Sequence, residues 1–110
     1  MANKYINKAF DLNSTSAIPI YTVPAETVAI VKTVQAYNDT ASAVTVIMSF
    51  TDTSASTTYN IGYAASSAIE QFELLTSNLL VLEEGDILNL KASVSDRVTG
   101  VASILEQDRT

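Results

Sequence analysis

The sequence predicts an all-β protein, either an antiparallel β-sandwich or a jelly-roll-like small barrel of about eight strands. Short segments alternate apolar with polar or small side chains, which is the period of strands with one buried face. Clusters of Ser, Thr, Asn, Asp and Gly separate these segments at spacings typical of sandwiches and barrels. No segment has the period of a long amphipathic helix. The 110 residues therefore predict a single sandwich domain spanning residues 1–110.

The first two strands are predicted to lie at sheet edges. The strand at residues 4–12 places Ile6, Phe10 and Leu12 on one face, with Lys8 as the exception. Because it begins within the first few residues, residues 1–12 are also a possible amino-terminal β-arm that adds to a neighbour's sheet. The strand at 17–23 contains Pro19, which cannot donate a ladder hydrogen bond and so belongs at an edge or a bulge.

Two central strands are predicted at residues 27–38 and 44–51, joined by a polar turn at 38–42 into a β-hairpin at the centre of the fold. The second alternates apolar and polar residues and predicts a half-buried strand. The first has apolar residues at both odd and even positions, so we expect both of its faces to be at least partly covered. Its strict alternation predicts one face formed by Val28, Ile30, Val34 and Ala36, and another formed by Ala29, Val31, Thr33 and Tyr37.

The remaining strands follow at shorter intervals. They are predicted at residues 58–63, 69–75, 78–82, 87–94 and 98–106, and residues 64–68 fit either a loop or a helical turn. The densest group of carboxylates, Glu83, Glu84 and Asp86, lies in the turn between two of these strands. Gly85 supplies the positive φ that such turns need. A solvated turn is favoured over a calcium site because the spacing fits no EF-hand loop and provides too few ligands.

The residue types of most catalytic sites are missing. The chain contains no histidine and no cysteine, so no Ser-His-Asp or Cys-His arrangement can form. Glu70 and Glu73 are predicted on opposite sides of a strand, which argues against a paired-carboxylate site. The three glycines are isolated and form no phosphate-binding loop. We therefore expect no enzymatic activity, no catalytic residue, no cofactor and no metal.

The charge balance argues against two classes of partner. The chain has six Lys and Arg and twelve Asp and Glu, which gives a net charge of −6. This charge repels phosphate backbones and anionic lipid, so nucleic-acid and membrane-surface binding are not expected. The sequence shows no recognisable export signal and no apolar run of about 18 residues.

Four aromatic residues are the candidate protein-contact residues, because aromatic side chains are enriched where proteins meet. They are Tyr5 and Phe10 near the amino end and Tyr59 and Tyr63 on a later strand. The spacing of four places Tyr59 and Tyr63 on one face together with Ile61. These two tyrosines either fill the core of the domain or form a contact patch.

Six segments in this order resemble small β-sandwich structural proteins of tailed bacteriophage particles. The resemblance covers nearly the whole chain, from Lys4 to Glu106. The first two segments are 21–32 (YTVPAETVAIVK), which continues through Asn38, and the strand 44–50. The other four are 73–75 (ELL), 79–82 (LLVL), 84–88 (EGDIL) and 101–106 (VASILE).

This resemblance implies a virion component, assembled in the host cytoplasm, that binds the major capsid protein or other virion proteins. A capsid decoration or cement protein is the favoured role, and a neck, tail or fibre protein is the alternative. Self-association is expected, with a homotrimer favoured and a dimer possible. A third hypothesis is a carbohydrate-binding β-sandwich module, with Tyr59 and Tyr63 as the sugar platform.

Overall fold

The computed structural model describes residues 3–75 and 79–108. This part of the chain forms nine β-strands and no helix. Residue 78, the predicted start of one strand, lies outside the described residues, as do residues 1 and 2 of the predicted arm. The strands are β1 Asn3–Asp11, β2 Ile18–Thr22, β3 Thr27–Asn38, β4 Val44–Asp52, β5 Thr57–Ser66, β6 Glu70–Leu75, β7 Leu80–Leu82, β8 Ile87–Ala92 and β9 Val98–Asp108.

The strands form two antiparallel sheets, which confirms the predicted fold class. The first sheet has the order β1-β9-β3-β6, and β7 also pairs with β3. Because β6 pairs with residues 34–38 of β3 and β7 with residues 29–31, these two short strands share one position in the sheet. The second sheet has the order β2-β8-β4-β5, so β3 and β4 lie in different sheets and the predicted hairpin between them is wrong. With four positions in each sheet and a chain that repeatedly crosses between them, the topology is that of a jelly roll.

A β-bulge decides which face of β3 enters the core. Val31 pairs with Ile104 and Thr33 with Ser103, so Lys32 is an extra residue in the β3–β9 ladder. One extra residue reverses the alternation of side chains beyond it. The predicted division of this strand was therefore wrong: the residues that face the core are Ala29, Val31, Val34, Ala36 and Asn38, all at most 2% exposed.

The core lies between the two sheets and is built from aliphatic side chains of both. Its fully buried large members include Leu12, Met48, Leu82, Leu88, Leu90 and Ile104. Asn38 is also fully buried, and its amide donates to the Ser42 carbonyl at 2.9 Å and to the Ser66 hydroxyl at 3.2 Å. Its carbonyl accepts from the Thr40 amide and hydroxyl. Among the described residues, every buried side-chain nitrogen and oxygen has a partner, as a well-packed interior requires.

Strand β1 belongs to the sandwich of its own subunit. All nine of its residues pair with β9 of the same subunit, so residues 3–11 of the possible amino-terminal arm form an edge strand of the sandwich. Phe10 pairs with Gly100 and is 8% exposed. A Cβ on Gly100 would lie 2.6 Å from the Phe10 ring and would also collide with the Gln35 carbonyl. The glycine thus leaves the space that the ring occupies, and Phe10 is a core residue rather than an exposed contact residue.

Candidate functional site

The acidic turn between β7 and β8 stabilises loops. Asp86 is buried, and its carboxylate accepts hydrogen bonds from the backbone amides of Glu83 at 2.9 Å and Thr53 at 3.3 Å. Glu84 accepts from the backbone amide of Glu26 at 2.7 Å. Gly85 has the expected positive φ, at 84°. The Asp86 carboxylate thus joins this turn to the loop after β4, and in the described part of the chain no group of three His, Cys, Asp or Glu could hold a metal ion.

A second polar cluster lies at the end of the sandwich where β9 finishes. The Tyr21 hydroxyl donates to Glu106 Oε2 at 2.6 Å, and Lys4 Nζ lies 3.8 Å from Glu106 Oε1. Tyr21 and Glu106 are both buried. Burial, reinforced by the hydrogen bond to this carboxylate, raises the pKa of the Tyr21 hydroxyl well above its usual value. The arrangement gives a buried carboxylate two partners, which is what a charge in a sandwich interior needs.

The two tyrosines of β5 lie on opposite faces of the sheet. Tyr59 pairs with Phe50, whereas Tyr63 pairs with Ile47. Ile61 is an extra residue between them, because Met48 pairs with Gly62 and Ser49 with Asn60. Since cross-strand partners share a face and residues three apart on β4 do not, the bulge separates the two tyrosines.

This geometry corrects two expectations for β5. Tyr59 is 48% exposed, Ile61 40% and Tyr63 70%, so none of them fills the core. The Tyr59 ring leans on Phe50 at the core side, with ring centroids 5.7 Å apart, while Tyr63 lies on the outer side. A flat sugar platform formed by both rings is therefore not present, because a sugar stacks on rings that face the same way.

An apolar row crosses the outer face of the first sheet. Tyr5 of β1 pairs with Leu105 of β9, Leu105 pairs with Ile30 of β3, and Ile30 pairs with Val81 of β7. Cross-strand partners share a face, and the neighbouring residues Ile104 and Ala29 fill the core, so these four side chains point outward. We call Tyr5, Leu105, Ile30 and Val81 the apolar row.

The apolar row is open to solvent at its two ends. Tyr5 is 74% exposed and Val81 59% exposed, while Ile30 and Leu105 are half-buried between them. Lys32 Nζ lies over the Tyr5 ring, 5.5 Å from its centroid. The rows beside it on β1, β9 and β3 are Asn3-Gln107-Val28 and Asn7-Ser103-Thr33, which contain no carboxylate. On these three strands the surface is therefore apolar and uncharged apart from one lysine, in a chain with a net charge of −6.

Of the four candidate contact residues, the structure thus places three on the surface and brings none of them together. Tyr5 is in the apolar row, Tyr59 and Tyr63 flank a bulge on β5, and Phe10 is in the core. The sequence analysis missed Leu105, Ile30 and Val81 as a contiguous surface. The available signal for this surface was that residues 27–38 have apolar side chains at both odd and even positions. A strand that buries only one face in the core has no need of a second apolar face.

Comparison with known proteins gives a fold but no family. No family model and no curated protein matches the chain. A solved structure of Eiger TNF from S. frugiperda has a TM-score of 0.52 at 13% identity, covering 96% of this chain and 94% of that one. A structure of Bacillus endospore appendages, a family of disulfide-linked pili, has a TM-score of 0.52 at 11% identity, covering 99% and 88%.

Viral particles also occur among the similar structures. The virus-like particle of the extra small virus of the prawn Macrobrachium rosenbergii has a TM-score of 0.48 at 14% identity, covering 99% of this chain and 80% of that one. The described residues contain no helix that could cross a membrane. At these identities the likeness to the two structures with TM-scores of 0.52 shows the all-β fold alone, and this fold is shared by proteins of unrelated function.

Proposed function

We propose that this protein is a non-enzymatic structural subunit of a tailed bacteriophage virion, a capsid decoration or cement protein that binds the outer shell. The single observation that carries the proposal is the apolar row, because four cross-strand neighbours present an apolar surface, bordered by one lysine, on a subunit with a net charge of −6. Exposed apolar surface bordered by polar residues is typical of protein interaction sites. The whole-chain resemblance to phage β-sandwich proteins supports the choice of partner.

The interior of the subunit fits this role. Every described buried polar side-chain atom has a partner within the subunit, and the buried carboxylates Asp86 and Glu106 are engaged by backbone amides and by Tyr21 and Lys4. A block with satisfied polar groups keeps its shape when a neighbour binds, so little binding free energy is lost in ordering it. Repeated over many copies, even a modest contact at capsomer joints stabilises a shell.

The experiment measures binding of the purified subunit to shells that lack it. We expect Val81→Lys to weaken binding at least tenfold, because the substitution puts a charge at the open end of the apolar row (a change of about 1.4 kcal/mol or more). Ile69→Lys is the matched control, because Ile69 is 57% exposed against 59% for Val81 and lies in the connection before β6. This control is expected to bind within about twofold of the unaltered protein.

Two results would contradict the proposal. Equal binding of the two lysine variants would show that the apolar row is not the contact surface. Copy number in the intact particle decides the position: of order hundreds of copies fits shell decoration, whereas about a dozen or fewer fits a neck, tail or fibre protein, since those parts have low rotational symmetry.

A further inference from the structure

Strand β5 is an open edge of the second sheet. It pairs with β4 and is the last strand in the order β2-β8-β4-β5. Its residues 57–61 are exposed on both faces, and Tyr63 is 70% exposed. An edge of this kind presents unpaired backbone N–H and C=O groups to which another strand can add.

The other described edge strands carry residues that oppose such pairing or, like the three-residue β7, are too short to pair over any length. On β1, Lys4 and Lys8 pair with buried residues of β9 and so lie on the inward side of an edge, where a charge disfavours a second sheet. Strand β2 contains Pro19 and a register shift, and β6 carries Glu70 and Glu73. Strand β5 has no charged residue and no proline.

The charge pattern points to a second copy of this chain as the occupant. Residues 53–69 contain no Asp, Glu, Lys or Arg, and this is the longest uncharged run in the sequence. Two subunits that each carry a net charge of −6 repel one another, so they approach most easily through a surface without carboxylates. A two-fold axis perpendicular to the sheet places identical edge strands antiparallel, which is the arrangement that edge strands adopt most readily.

We propose that two copies of this protein pair through their β5 edges, antiparallel and across a two-fold axis, to give one continuous eight-stranded sheet. In this dimer the bulge at Ile61 distributes the tyrosines over both faces of the joined sheet. Because Tyr59 lies on the core side and Tyr63 on the outer side, each face of the joint receives one tyrosine from each subunit. Both faces of the new ladder are thereby shielded from water.

The contact area sets the expected strength of the pair. Taking about 200 Å² for a whole tyrosine side chain, the exposed fractions of Tyr59 and Tyr63 amount to about 240 Å² per subunit. The pair therefore buries at most about 480 Å² from these rings, before Ile61 and the backbone are added. Stable interfaces bury about 1,200 Å² or more, so this dimer belongs to the weak class and forms at high concentration.

The test uses the absence of cysteine from the chain, because one introduced thiol then reports a single contact. Single substitutions Thr57→Cys, Thr58→Cys, Asn60→Cys and Ile61→Cys are oxidised mildly at protein concentrations up to about 1 mM, a range that suits weak contacts. A disulfide needs Cα atoms about 4.4–6.8 Å apart. We expect one position near the axis to give mostly covalent dimer, with yields that fall on either side of it.

Asn7→Cys is the matched control, because Asn7 is equally an exposed residue on an edge strand, β1, of the other sheet. Sedimentation of the unaltered protein is compared with Asn60→Lys, which we expect to weaken dimerisation at least tenfold, and with Asn7→Lys, which we expect to leave it unchanged. Each lysine variant is first shown to melt cooperatively.

The inference is overturned if every β5 cysteine cross-links no better than Asn7→Cys, if the unaltered protein stays monomeric at about 1 mM, or if it forms trimers that Asn60→Lys does not affect. The experiment contains no shell, so its failure leaves the proposed shell binding intact. Failure of the Val81 experiment likewise leaves the β5 pairing intact.

Discussion

Replacing Phe10 with alanine tests whether β1 is part of the sandwich or a detachable arm. The ring is 8% exposed and occupies the space that Gly100 leaves open, 2.6 Å from the position of a Cβ on that glycine. Buried Phe→Ala substitutions cost about 3–5 kcal/mol. Because β1 is an edge strand that can partly close over the cavity, we expect the lower end of this range, about 3 kcal/mol. For a domain of this size, that loss lowers the melting temperature by roughly 12–24 °C.

Tyr5→Ala is the matched control on the same strand. Tyr5 is 74% exposed, and the substitution removes its contact with Lys32, so we expect a loss of about 0.5–1 kcal/mol. The assay is urea unfolding followed by far-ultraviolet circular dichroism, since the chain contains no tryptophan. The reasoning is refuted if Phe10→Ala loses less than about 1 kcal/mol at an unchanged m value, or if Tyr5→Ala loses as much as Phe10→Ala.

Two further substitutions test the buried polar groups. Asn38→Ala removes four hydrogen bonds from a fully buried site and should lower the free energy of unfolding by about 2–3 kcal/mol in the same urea assay. The control Asn60→Ala, at an exposed position, should change it by less than about 0.5 kcal/mol. Equal effects of the two substitutions would contradict a stabilising role for the Asn38 hydrogen bonds. Tyr21→Phe should make the stability of the protein fall less steeply as the pH rises above about 10. Because burial and Glu106 raise the pKa of Tyr21 in the folded state, its stabilisation is present below the ordinary tyrosine pKa of about 10 and is lost above it, by at most about 1.4 kcal/mol per pH unit. Thermal unfolding of both proteins from pH 8 to 11 measures this, and parallel curves would exclude a contribution from Tyr21.

The positions of the strands followed from local chemistry. Apolar alternation in residues 44–51, Pro19 in the second strand and Gly85 in the acidic turn each predict a local conformation, and the structure has all three. The segment at 64–68, which fitted a loop or a helical turn, divides between the end of β5 and a connection to β6, because Ser66 is held by Asn38 and by the carbonyl of Ala68. That choice depended on a residue 28 positions away, which no local pattern contains.

The faces of the strands were decided by the tertiary structure. Two bulges, at Lys32 and Ile61, shift the register by one residue and reverse every side chain beyond them. They explain why Ala29 and Val31 share the core with Val34, and why Tyr59 and Tyr63 do not share a face. A bulge is defined by the pairing of two strands, so one strand's sequence does not specify it.

The sequence by itself determined the class of fold and the absence of histidine and cysteine, because strand alternation, turn residues and residue types are local or compositional properties. Only the tertiary structure decided that Phe10 is buried, that Tyr5, Leu105, Ile30 and Val81 form one surface, and that β5 is an uncharged open edge. These properties arise from pairing between residues as far apart along the chain as Asn3 and Gln107, and pairing at that distance is set by packing of the whole sandwich.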